Sequence, residues 1–232
     1  MLVDGKWEGP IVDQHMHLDR ENRFISAAEE FSRSGGTEIF LVHKPSFSKS
    51  LPTDLNGYRE VYRDTIKMAE SVREKTELKV NVVLGPHPVV WDIQANDIGV
   101  KASSELHISA VGLALDMIEE GEAVCLGEVG RPHYPVSEDR WTEANDLLLE
   151  IMRMASTSNS PVQLHVEENG NQTCKDIARL CNRSGLPKKR TIRHFAPSDI
   201  SDQRTSGLPV TVSMGKGSVE GLSLIHISEP TR

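Results

Sequence analysis

The sequence predicts an α/β fold of the parallel barrel type, organised as one domain, and three observations carry that prediction. Short apolar, β-rich runs recur along the chain with helical patterns between them. Most of these runs are continuous instead of alternating, as expected for strands buried on both faces. Metal-type ligands stand at the ends of the first, fourth, fifth and sixth runs. A doubly wound sheet also alternates strand and helix, but it concentrates its site at one switch point. A barrel instead collects the C-terminal ends of all its strands around one mouth.

Taken in order, strands are expected at Pro10–Asp13, Glu38–His43, Lys79–Gly85, Ala123–Val129, Pro161–Val166, Thr191–Phe195 and Pro209–Ser213. The helices between them show apolar residues at three- and four-residue spacing. Leu55, Tyr58, Tyr62, Ile66 and Ala69 form one such stripe, and Trp141, Ala144, Leu148, Ile151 and Ala155 another. Gly35-Gly36, Gly121 and Gly185 stand where helices should stop. No repeat, low-complexity stretch or interdomain linker interrupts the pattern, so residues 1–220 are read as one domain.

The 232 residues are 38% hydrophobic and 26% charged, enough for a substantial core. A net charge of −8 argues against a bulk electrostatic grip on nucleic acid, although bound cations or a local basic patch could hold a phosphate. The basic run Lys188-Lys189-Arg190 precedes a strand and is read as a solvated turn at the barrel bottom. Cys125, Cys174 and Cys181 are too few and too dispersed for a disulfide framework and are assigned to the core. Neither a signal peptide nor a membrane-spanning run is apparent, which makes the cytoplasm the expected compartment. No protein partner is evident.

The chemistry is read from the strand ends. His15 and His17 are alternate residues of an extended segment and can share one face. Neutral imidazole is a common ligand for divalent metals. Asp13 lies two residues earlier on that face and is expected to orient a ring N–H. Glu128 ends the fourth strand, where a buried carboxylate must be neutralised by a proton, a cation or a metal. Its two oxygens could bridge two ions, with Arg131 as the competing salt-bridge partner. His165 and His194 end the fifth and sixth strands and complete the expected ligand set. His43 and Lys44, His87, and Arg131 with His133 follow strands two, three and four. They are expected to form a cationic, hydrogen-bonding rim suited to an oxyanion such as phosphate. His107 lies on a helix and is read as structural.

Four segments carry a family resemblance: Val-Asp-Gln-His-Met-His-Leu-Asp (12–19), Leu-Gly-Pro-His-Pro (84–88), Gly-Glu-Val-Gly-Arg-Pro-His-Tyr (127–134) and Gln-Leu-His-Val-Glu (163–167). Together they resemble the TatD-related metal-dependent hydrolases, and Val-His-Lys-Pro-Ser (42–46) is similar to the archaeal branch. The resemblance runs from about residue 10 to about residue 220. It implies a TIM (β/α)8 barrel with two divalent ions, such as zinc, manganese or magnesium. His15, His17 and Glu128 would hold the first ion, and Glu128, His165 and His194 the second. Better-known members are nucleases acting on DNA phosphodiesters.

The family pattern ends with a metal-binding Asp after strand eight, and no such segment occurs here. From Gly221 the chain reads Gly-Leu-Ser-Leu-Ile-His-Ile-Ser-Glu-Pro-Thr-Arg, which resembles sequencing-adapter read-through. Residues 221–232 are therefore expected to be a non-native tail and strand eight to be missing. The expected activity of the intact parent is divalent-metal-dependent hydrolysis of a small-molecule phosphoester or of nucleic acid. Hydrolysis of an amide or lactone is the alternative, as is a truncated barrel that binds metal without turnover.

Overall fold

The computed structural model describes residues 2–3, 6–48 and 50–213. A short antiparallel pair, Leu2–Val3 with Lys6–Trp7, precedes six parallel strands. These are β1 (Val12–Met16), β2 (Glu38–Val42), β3 (Lys79–Leu84), β4 (Cys125–Gly130), β5 (Val162–His165) and β6 (Thr191–Arg193). Spatial order equals chain order, so each crossover adds the next strand to the same growing edge. Helices α1 (Phe24–Arg33), α2 (Leu55–Lys75), α3 (Pro88–Ile98), α4 (Val100–Glu119), α5 (Glu138–Thr157) and α6 (Gly170–Ser184) make the connections, followed by the single turn α7 (Asp202–Thr205).

The sheet curls, and the proof is a hydrogen bond. Gln163 lies on β5, four strands from β1, which in a flat sheet is a separation of about 19 Å. Its amide nevertheless donates to the Gln14 carbonyl at 2.9 Å, and its Oε1 lies 2.9 Å from His15 Nδ1. The expected parallel α/β barrel architecture is therefore present, as a curled half-barrel of six strands. The seventh strand expected at Pro209–Ser213 reduces to one parallel bridge, Arg193 with Val210. Three backbone hydrogen bonds hold that segment beside β6: Arg193 N to Pro209 O, Thr211 N to Arg193 O and Ala196 N to Thr211 O. The foreign tail expected from Gly221 lies outside the described residues.

Alternation along each strand sorts the side chains into two layers. Ile39, Leu41, Val80, Val82, Leu126, Val162 and Leu164 pack outward into the large core beneath the helices. Phe40, Val42, Val83 and Cys125 form a separate cluster with the opposite parity. The expected α2 stripe is buried at Tyr58, Tyr62, Ile66 and Ala69, while Leu55 at the helix start stays 38% exposed. Asp54 caps α2 by accepting the Gly57 N–H. All three cysteines are free and buried. Lys188–Arg190 forms a 3-10 turn at the start of β6, away from the ligand-bearing strand ends. No helix among the described residues is long and apolar enough to cross a membrane.

Candidate metal centre

Two strands that carry ligands are irregular beside them. β1 gains a residue on β2 between Asp13 and Met16, and β4 gains one on β5 between Leu126 and Val129. Such bulges re-aim side chains, and here they flank His15 and Glu128. The glycines on either side of Glu128 leave no room for a side chain. A Cβ at Gly130 would sit 1.8 Å from the His165 carbonyl oxygen, and one at Gly127 would sit 2.8 Å from Gln163 Cβ.

Glu128 is 3% exposed and ringed by imidazoles from the other strand ends. Its carboxylate oxygens lie 2.9 Å from His165 Nδ1, 3.4 Å from His17 Nε2, 3.5 Å from His15 Nε2, 3.8 Å from His87 Nε2 and 3.9 Å from His194 Nε2. Burial pushes its pKa up, but hydrogen bonds from His15, His165 and His17 outweigh burial and hold it well below the usual carboxylate range. For His17, burial acts downward, yet Glu128 and the Val42 carbonyl raise the net value. His194 is lowered to about 3, chiefly by burial and then by His15.

The tautomers follow from the groups behind the rings. His17 Nδ1 donates to the Val42 carbonyl at 3.0 Å. His15 Nδ1 donates to Gln163 Oε1, whose amide orientation is fixed by Gln14 O. Both rings therefore turn Nε2 toward Glu128, a hydrogen-bond donor to the carboxylate when the ring is protonated and a free lone pair when it is neutral, and those two nitrogens lie 3.2 Å apart. His194 Nδ1 meets the Thr211 hydroxyl at 3.0 Å, and its ring stacks on His15 at 3.4 Å. Asp13 does not orient a ring: its Oδ1 accepts the His15 backbone N–H at 2.9 Å. Gln163, Thr211 and the Val42 carbonyl do that work.

Ligand atoms of His15, Glu128 and His194 lie within 4.8 Å of one another, as do those of His87, Glu128 and His165. The donor set fits a divalent ion, which would replace the protons between inward-turned imidazole nitrogens and a buried, charged carboxylate. His87 differs from the rest. Its Nδ1 accepts the Val89 N–H at the start of α3, which leaves the proton of the neutral ring on Nε2. It faces Glu128 as a donor.

The rim departs from the expectation of a cationic one. Burial lowers His43 to about 4 and His87 to about 3, so both are neutral at neutral pH. Thr65 gives its hydroxyl proton to Val61 O and accepts from His43 Nδ1, leaving His43 Nε2 an acceptor. Arg131 is 2% exposed and turned away from the rim. It donates twice to Glu167, at 2.7 and 2.5 Å, and once to Asn145, and it stacks on Trp141. It pairs with Glu167 and not with Glu128. Lys44 stays exposed, 3.2 Å from Asp19, and His133 Nδ1 lies 2.7 Å from His165 Nε2.

A curled parallel β/α sheet with imidazoles and one carboxylate at its strand ends is an arrangement that can hold divalent metal ions. The sequence matches the TatD related DNase family over residues 12–219, and the chain belongs to that family. An uncharacterized protein of Methanocaldococcus jannaschii is 24% identical over 202 residues, covering 86% of this chain and 70% of that one. Among solved structures, an uncharacterized amidohydrolase from Saccharomyces cerevisiae superposes with a TM-score of 0.51 at 13% identity. That match covers 80% of this chain and 62% of the yeast protein, so this chain spans less than two thirds of it. An L-ribulose 3-epimerase gives 0.51 at 12% identity, covering 93% of this chain and 78% of that one. These two likenesses concern the fold.

Proposed function

We propose that the protein hydrolyses phosphate esters, phosphodiesters of nucleic acid among them, with two divalent ions sharing Glu128. One observation carries the reading: a buried, ionised carboxylate faces five imidazoles, and His15 and His17 at the end of β1 are held by their second nitrogens with Nε2 turned inward. His15, His17 and His194 would hold one ion with Glu128, and His165 the other. Bound divalent ions neutralise phosphoryl charge and lower the pKa of a coordinated water toward about 7.

The chain's own groups then have distinct tasks. His87 donates from Nε2 to a phosphoryl oxygen, and its buried, neutral state suits a donor that must not pair permanently with Glu128. Lys44 and His133 lie further out and orient the rest of the ester. Arg131 acts behind the site through Glu167. With a net charge of −8, substrate is captured by these local groups and not by a broad basic face.

The test is metal analysis of the dialysed protein combined with manganese-dependent hydrolysis of bis(4-nitrophenyl) phosphate, beside a panel of lactones and dipeptides. Bound metal and diester hydrolysis, both reduced in Glu128→Gln, support the proposal. Turnover confined to lactones or dipeptides replaces the substrate class. Unchanged metal content in the His15→Ala, His17→Ala double variant removes the site.

A further inference from the structure

A cavity of about 310 Å³ adjoins the metal centre, and its wall includes His43 and His87. His87 borders both spaces, since its Nε2 is 3.8 Å from Glu128 while its ring lines the cavity. His43 directly follows Val42, whose carbonyl orients His17. The cavity therefore opens beside the ligand cluster, between the segment after β2 and helices α2 and α3. Its volume lies at the lower end of the range typical of small-molecule sites.

The lining defines what fits. Leu51, Pro52, Tyr58, Val61, Met68 and Val90 supply the apolar walls. Of the charged groups at its edge, Lys44 pairs with Asp19 and Asp64 with Arg20, and Glu60 adds a further carboxylate. The His43 and His87 rings complete the inner end. An anionic group would meet Glu60 and Asp64 there, whereas an uncharged ring would meet aliphatic carbon, a thioether and a tyrosine face, contacts that favour aromatic groups.

We infer that this cavity is a specificity pocket for an uncharged aromatic or heteroaromatic ring carried by the alcohol or phenol part of the ester. The inference rests on the phosphoester reading for what the ring is attached to. It does not rest on it for the pocket itself. Ring occupancy gives the enzyme preference for aryl or nucleoside esters over alkyl ones, because removing the ring forfeits the apolar contacts without touching the metal ligands.

Calorimetry on the manganese-loaded full chain decides it, with diphenyl phosphate and dimethyl phosphate as probes. Diphenyl phosphate should bind about tenfold tighter or more, the discrimination an apolar pocket supplies. Leu51→Trp, which fills the cavity from a loop, should remove most of that preference while leaving metal content and dimethyl phosphate affinity unchanged. Val61→Phe narrows it from α2 and should act in the same direction if Leu51→Trp does not fold. Equal affinities in the parent chain, or a preference that survives both variants, overturn the inference. Tight diphenyl phosphate binding that Leu51→Trp abolishes, without any hydrolysis of bis(4-nitrophenyl) phosphate, would sustain the pocket and refute the phosphoester reading.

Discussion

Gln163 is fully buried within an apolar strand and spends its amide on β1, accepting from His15 and donating to Gln14. Its removal should therefore cost metal affinity more than its distance from Glu128 suggests. Gln163→Leu should weaken metal binding by about 10–100-fold, the usual effect of losing a group that orients a ligand. Titration with zinc or manganese by calorimetry reads this directly, and an unaltered affinity would show that His15 needs no such support. His107 presents the opposite case. It is fully buried on α4, and neither ring nitrogen has a hydrogen-bond partner among the described residues. Burial lowers its pKa to about 3, so the native state keeps it neutral while the unfolded chain protonates near the ordinary value. Stability is then fully present above about pH 6.5 and falls as pH drops toward 3, by roughly 1.4 kcal/mol per unit for this one group. His107→Leu should be neutral to stabilising by about 1–3 kcal/mol at pH 7, with a wider advantage at pH 5. Urea melts at both values check it, and a variant less stable at each would contradict the argument.

Between β4, β5 and β6 the ligands are held by paired ions. The segment after His165 carries Glu167 and Glu168, and each reaches a different neighbour: Glu167 binds Arg131 after β4, and Glu168 binds Arg193 at the end of β6. Both arginines are almost fully buried, but only Glu167 is largely buried with its partner while Glu168 is half-exposed, so the Arg131–Glu167 pair is the costly one to break. Thr173 at the start of α6 adds a hydroxyl donor to Glu167. Glu167→Gln leaves Arg131 buried without a counter-charge and should destabilise the fold by about 3 kcal/mol or more. Thermal and urea melts measure that loss. A shift under about 1 kcal/mol would mean that solvent reaches the pair and that the two strand ends are held by packing alone.

For the whole molecule, a cluster drawn from β1, β4, β5 and β6 makes metal binding a cross-link between distant parts of the chain. At 100 times the dissociation constant a bound ion stabilises the native state by about 2.7 kcal/mol. For a chain of this size that should raise Tm by roughly 5–10 °C. Chelation should reverse the shift, and the His15→Ala, His17→Ala double variant should not show it. An equal rise in that variant would place the ion elsewhere. In the described residues β1 and β6 remain the outer strands, with only the Val210 bridge beside β6.

Much of this was legible in the sequence, because strand periodicity and ligand spacing are local. The continuous apolar runs located six strands within a few residues, and the His15–His17 alternation placed two imidazoles on one face whatever lay opposite. Burial of Glu128 followed from its apolar neighbours. What the sequence could not determine depends on contacts between residues far apart in the chain. Gln163 reads as one polar interruption in Val-Gln-Leu-His, and only the curl of the sheet brings it to His15, 148 positions away. Arg131 has the composition of a substrate contact, and only the position of Glu167 turns it inward. His43 and His87 look like cations in a loop, but enclosure by α2 and α3 removes their charge. Side-chain type is inherited from the chain, whereas protonation, orientation and partner are set by the dielectric and by the groups that folding brings within about 3 Å.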